Sequence, residues 1–211
     1  MEKLQVVRIT LEDSEYPVRL RERLGDDAPS VLATIGAVGL LNQLLLALLC
    51  SVRCPGSAIL EAYETAKKVA RSQWVVVSGF HSPMEKECLR ILLRAKHPVV
   101  LCVARSLDTM GIPAEWREHI QASRMLLLSP FAKAHRRNTT KMAEVRNQVV
   151  VALAEKAWIP YAAPGGKTRV LASKVARWSV NVDKGSGLFT SDELQTRLLI
   201  DGFTRKGLPL A

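Results

Sequence analysis

The sequence predicts a doubly wound α/β fold, Rossmann-like, with a mostly parallel sheet covered by helices on both faces. Two observations carry this expectation. Five short runs are apolar except for a terminal Ser78, with no polar alternation, as strands buried on both sides require: residues 44–50 (LLLALLC), 74–78 (WVVVS), 98–103 (PVVLCV), 125–128 (MLLL) and 157–162 (AWIPYA). Segments of helical pattern separate them, as crossovers between parallel strands demand. A composition of 48% apolar and 24% charged residues over 211 positions suits one such domain.

Taken in order, residues 1–42 hold a Tyr16–Pro17 segment and a short apolar run at 31–35, read as a small helical or edge-strand lead-in. The first buried strand, 44–50, is followed by a helix over 58–70 with Ile59, Tyr63, Ala66 and Ala70 on one face. After the strand at 74–78 comes the strongest local signal in the chain. Gly79 breaks the strand, Ser82 is a good N-cap, Pro83 suits the first helical position, and Glu85 completes a capping box for a helix to about residue 95. Further strands and helices alternate: strand 98–103, helix 114–122, strand 125–128, helix 140–154, strand 157–162, and a helix after Gly165 and Gly166. Residues 43–182 would form the Rossmann-like domain, and 183–211 a C-terminal extension whose capping box at Thr190 and Glu193 opens an amphipathic helix.

Lys and Arg number 30 against 20 acidic residues, a net charge of +10. That excess favours a polyanionic partner, either nucleic acid or a nucleotide. Only 5% of residues are aromatic, so any base-stacking platform is small. The longest apolar run falls far short of a membrane span, and the N-terminal stretch lacks the apolar core of a signal peptide, which leads to a cytoplasmic expectation with no membrane partner. Cys50, Cys54, Cys88 and Cys102 include no C-x-x-C pair and read as buried free thiols, not as metal ligands. No metal or cofactor is expected.

In open α/β sheets ligands bind where strand carboxyl ends meet helix N-termini. Four such turns stand out. The first, 50–56, offers Ser51 and Arg53 to a phosphate. In the second, Gly79 lets a ligand approach the backbone, and Phe80, His81 and Ser82 follow. The third is the basic cluster 135–141 with Arg136 and Arg137, continued on its helix by Arg146 and Asn147. The fourth holds Gly165, Gly166, Lys167 and Thr168. Arg53, Arg146 and Lys167 are candidate phosphate holders, and Phe80 or His81 would touch a base. Glu85 is the one well-placed acid for bond cleavage, although its capping box accounts for it more simply. G-G-K-T at 165–168 lacks the first glycine of a P-loop, so a nucleoside triphosphatase is not expected.

Several of these segments are similar to a known family. Tyr16–Pro17 with Leu20, then Pro29 to Leu32 and Gly36, resembles the lead-in of DNA-processing protein A. Val75 to Gly79 resembles its V-V-S-G turn, and Leu126 to Ser129 with Arg146–Asn147 resembles its L-x-S-E and R-N-R segments. The resemblance runs from about residue 15 to 162. Its G-S-R turn reads here as Cys50 to Arg53, without the glycine and with one residue inserted, and the second arginine of R-N-R is Gln148. The resemblance implies a Rossmann-like domain that binds single-stranded DNA in a basic pocket and loads a recombinase in recombination or natural transformation. A homodimer is compatible with the chain. Pro164 to Thr168 is similar instead to the P-G-G-x-G-T loop of the Lonely-guy phosphoribohydrolases, which implies the alternative of N-glycosidic cleavage of a nucleotide. That family's glutamate after the loop has no counterpart here, because Arg169 follows Thr168. A third reading is a nucleotide-sensing domain that contacts partners through its C-terminal helix.

Overall fold

The computed structural model describes residues 4–131, 139–178 and 181–183. The chain runs β1 (Val7–Thr10), α1 (Val18–Leu24), β2 (Val31–Gly36), β3 (Leu45–Leu48), α2 (Gly56–Val69), β4 (Val75–Ser78), α3 (Pro83–Arg94), β5 (Val99–Cys102), α4 (Ala114–Gln121), β6 (Met125–Ser129), α5 (Thr140–Leu153), β7 (Lys156–Trp158), α6 (Lys167–Arg177) and β8 (Asn181–Asp183). The strands form one sheet in the order β1-β2-β6-β5-β4-β3-β7-β8. From β6 to β8 every neighbour is parallel, while β2 runs antiparallel to both β1 and β6. This is the expected doubly wound class.

The pleat explains why the strand runs are apolar throughout. Leu45, Ala47, Val75, Val77, Val100 and Cys102 point into a core shared with α1, α5 and α6. Their neighbours Leu46, Leu48, Val76, Val99 and Leu101 point the other way, into a core shared with α2, α3 and α4. Both faces are dry, so neither set of positions tolerates a polar residue.

Two differences from the sequence reading stand at the sheet's ends. The run at 31–35 is not an edge strand, because β1 pairs along its outer side from Val7 to Thr10. The run is one residue longer than it reads, with Gly36 paired to Leu126. The strand expected over 157–162 covers only Lys156–Trp158, and Pro160, which has no N–H to give a ladder, follows shortly. The helix expected from Thr190, like Arg136 and Arg137, lies outside the described residues.

Capping fixes the helices that reach the site. At α3 the full box forms: Ser82 Oγ accepts from the Glu85 N–H at 3.2 Å, and the Glu85 carboxylate accepts from the Ser82 N–H at 3.2 Å. Thr139 Oγ1 accepts from the Met142 N–H at 3.2 Å and starts α5. At the far end of α5, Arg23 Nη1 donates to the carbonyls of Ala152 (3.1 Å) and Ala154 (2.6 Å), so α1 supplies the acceptors' missing partner. Among the described residues, no helix is long and apolar enough to cross a membrane.

Candidate nucleic-acid interface

A cavity of about 620 Å³ opens at the carboxyl edge of the sheet. Its floor comes from the turns after β3 (Cys50, Val52), β4 (Gly79, His81, Ser82) and β5 (Val103, Ala104, Arg105). Its walls come from Thr139, Thr140, Ala143, Glu144 and Asn147 on α5 and its cap, and from Lys167 and Thr168 at the start of α6. The topology produces this convergence, since β3, β4 and β5 are parallel neighbours and end on the same side.

Arg146 is the charge at its floor. The side chain is 5% exposed. Its Nη1 donates to the Cys102 carbonyl at 3.2 Å and its Nε donates to Asn147 Oδ1 at 2.7 Å. The guanidinium lies directly on Gly79: a Cβ built there would fall 1.7 Å from Arg146 Nη1. Glycine at 79 thus leaves room for the arginine's seat, and any Cβ there would force the guanidinium to shift. Among the described residues, no carboxylate forms an ion pair with Arg146. The neighbouring Cys102 thiol is pushed up to about 12 by burial, against the pull of Arg146, so it stays neutral and does not balance the charge. A buried cation without a counter-ion is costly to keep, and this one borders an open cavity.

Glu85 does more than complete the capping box that its sequence context suggests. Its carboxylate accepts N–H groups from Cys50 (2.8 Å), His81 (2.7 Å) and Ser82 (3.2 Å). It thus ties the end of β3 to the turn after β4. The N–H groups of His81 and Ser82, expected to form an anion site with the α3 dipole, are engaged by this internal carboxylate. The same engagement removes the role Glu85 would have had as an acid, since both its oxygens bind backbone. Burial pushes the adjacent Cys50 thiol up to about 12, with Cys54 and Glu85 adding to the effect.

The other expected residues divide. Gly79, His81, Ser82, Arg146, Asn147, Lys167 and Thr168 all border the cavity. Lys167 pairs with Glu144 at 2.7 Å across its wall. Ser51 is buried and stitches two loops: its N–H donates to the Tyr161 carbonyl at 3.0 Å, and its Oγ accepts from the Ala163 N–H at 2.9 Å. These bonds tie the loop after β3 to the loop after β7, where the chain switches faces. Arg53 is exposed but is not part of the cavity lining. Phe80 sits at φ 44° with its ring 4% exposed in the core beside Met84 and Trp158, so it has no face to offer a base. Gly165, at φ 67°, and Pro164 shape a turn closed by Gly166 N–H donating to the Ala163 carbonyl at 2.9 Å, the pattern of a type II turn, and place Lys167 at the helix start.

Sequence reasoning missed Arg105, while Thr139 and Thr140 fall within the expected cluster at 135–141 without being singled out there. The signal for Arg105 is present in the sequence, since it follows its buried strand run by two residues, much as Arg53 follows its own by three. Arg105 is exposed at the rim. Among the described residues, no cluster of three or more His, Cys, Asp or Glu side chains is placed to hold a metal.

Fold and cavity together define a Rossmann-like α/β protein with a cation-floored pocket at the carboxyl edge of its sheet. The family described as DNA recombination-mediator protein A matches residues 7–172, and the chain belongs to that family. The structure is similar to DNA processing protein A from Streptococcus pneumoniae, with a TM-score of 0.71 and 18% identity over 98% of this chain and 71% of that one. It is also similar to DNA processing protein A from Helicobacter pylori, described for its single-stranded DNA binding mode, with a TM-score of 0.66 and 20% identity over 94% of this chain and 89% of that one. No curated protein matches the sequence. The family and fold implied by the sequence motifs are thereby borne out.

Proposed function

We propose that the chain binds single-stranded DNA in the cavity at the carboxyl edge of the sheet, without cleaving it. One observation carries the reading: Arg146, buried and without a carboxylate partner among the described residues, forms the cavity floor against Gly79. A phosphate seated there would supply the counter-ion that Arg146 lacks among the described residues. Arg105 at the rim would take a second phosphate, and Lys167 would leave Glu144 for a third. His81, exposed beside the cavity, is the side chain placed to meet a base, in place of Phe80. The net charge of +10 and the single-stranded DNA binding described for the H. pylori protein support the same ligand class. Delivery of the bound strand to a recombinase is the partner role that the family resemblance implies.

Anisotropy of a labelled oligonucleotide tests this. Affinity should fall linearly with salt on a log–log plot, by about 0.7 in slope per phosphate contact on a single strand. Arg105→Ala, an exposed change that leaves the fold intact, should lower both affinity and slope. No binding by the unaltered protein at low salt would overturn the proposal.

A further inference from the structure

Helix α3 starts at the cavity and runs away from it, and its outer face carries a pattern that stability does not explain. Met84, Glu85, Cys88, Leu89, Leu92 and Leu93 are buried against the sheet. That orientation turns Lys86, Arg90 and Arg94 outward, and all three are exposed. They stand at i, i+4 and i+8, in file along the helix, beginning one turn from the cavity-lining His81 and Ser82. Like charges at that spacing repel one another and weaken the helix. Lys86 also lies in the first turn, where the helix dipole disfavours a cation. Only Arg94, in the last turn, suits the dipole. Glu87 pairs with Arg90, while Lys86 and Arg94 have no ion pair among the described residues. Alongside, α2 packs against α3.

Four residues of helix rise about 6 Å, comparable with the separation of adjacent phosphates along one extended strand. A linear polyanion with a regular repeat fits a file of this kind better than a scattered patch of carboxylates does. We infer that the outer face of α3 is a track for the nucleic-acid strand leaving the cavity, with Lys86, Arg90 and Arg94 meeting successive phosphates. The track rests on the single-stranded DNA reading of the cavity and extends the binding site beyond it.

The experiment compares the full chain with a Lys86→Gln/Arg90→Gln/Arg94→Gln variant, all exposed positions and a residue of good helix propensity, on labelled strands of about 6 and about 16 nucleotides. The unaltered protein should bind the longer strand more tightly and with a steeper salt slope. The variant should keep its affinity for the short strand and lose the gain with length, its slope on the long strand falling by about 2. A variant that retains the gain overturns the track, and the cavity reading then stands if Arg105→Ala weakens both lengths. Equal weakening on both lengths also overturns it, since the file would then act only as a field on the cavity. Loss of the gain in the variant together with no effect of Arg105→Ala overturns both readings, since the strand would then lie on α3 without passing through the cavity. Polyglutamate competing as well as the long strand would give the face to an acidic protein and overturn the assignment, and binding of neither strand by the unaltered protein overturns both readings.

Discussion

At the scale of single residues, the site depends on two charges that the fold treats oppositely. Glu85 is satisfied three times over by backbone, whereas Arg146 keeps part of its guanidinium for whatever enters the cavity. Glu85→Gln should therefore destabilise the protein by about 1.5–3 kcal/mol in urea unfolding, the worth of hydrogen bonds to a charged group, with its effect on DNA affinity secondary. Gly79→Ala places a methyl where Arg146 Nη1 now lies and should cost about 1–3 kcal/mol of stability, with weakened oligonucleotide binding because the guanidinium must leave its seat. Away from the site, His119 is buried with Nδ1 unpartnered among the described residues, and burial followed by Arg124 holds it below its ordinary value of 6.5. The unfolded chain then takes up the proton more readily than the folded one. Its contribution to stability is present above about pH 6.5 and is lost as the pH falls through the folded value. Urea midpoints measured at mildly alkaline and mildly acidic pH should fall on acidification, and His119→Gln should flatten that part of the fall.

At the scale of elements, what was legible depended on whether the signal was local. The S-P-M-E capping box of α3 is written in four adjacent residues, and the structure forms it atom for atom. The parallel core strands were legible because burial on both faces leaves no polar position to blur the pattern. The place of β2 was not, since an apolar run at an edge and one beneath an antiparallel edge strand look alike until β1 is seen to pair with it. Nor could the C-terminal cap of α5 be read, because Arg23 reaches it from far along the chain. Arg23→Ala should cost about 1.5–3 kcal/mol, measured by denaturant unfolding, since two carbonyls lose a charged donor.

At the scale of the whole molecule, the sheet order decides which expected site residues meet. Strand-end turns were correctly placed on one edge, so Gly79, Arg146 and Lys167 come together as their positions suggest. Ser51 and Phe80 were read as ligand contacts because residue type and turn position do not reveal orientation: one stitches loops and the other fills the core. The same two-sided core governs the thiols. Cys50, Cys88 and Cys102 are buried and Cys54 is partly exposed, with burial raising the thiols of the first three. Titration of the folded protein with a thiol reagent should show fast reaction at Cys54 alone, and all four cysteines should react after unfolding.

The seating of Arg146 on Gly79 also joins the evolutionary fates of two distant positions. While the arginine keeps this seat, a side chain at 79 should carry a cost, and without the arginine that cost should vanish. A relative that replaces Arg146 with a small residue is thus free to vary at 79, and restoring the arginine to it alone should be harmful until the glycine is restored too. In a double-mutant cycle, the two changes should fall well short of additivity.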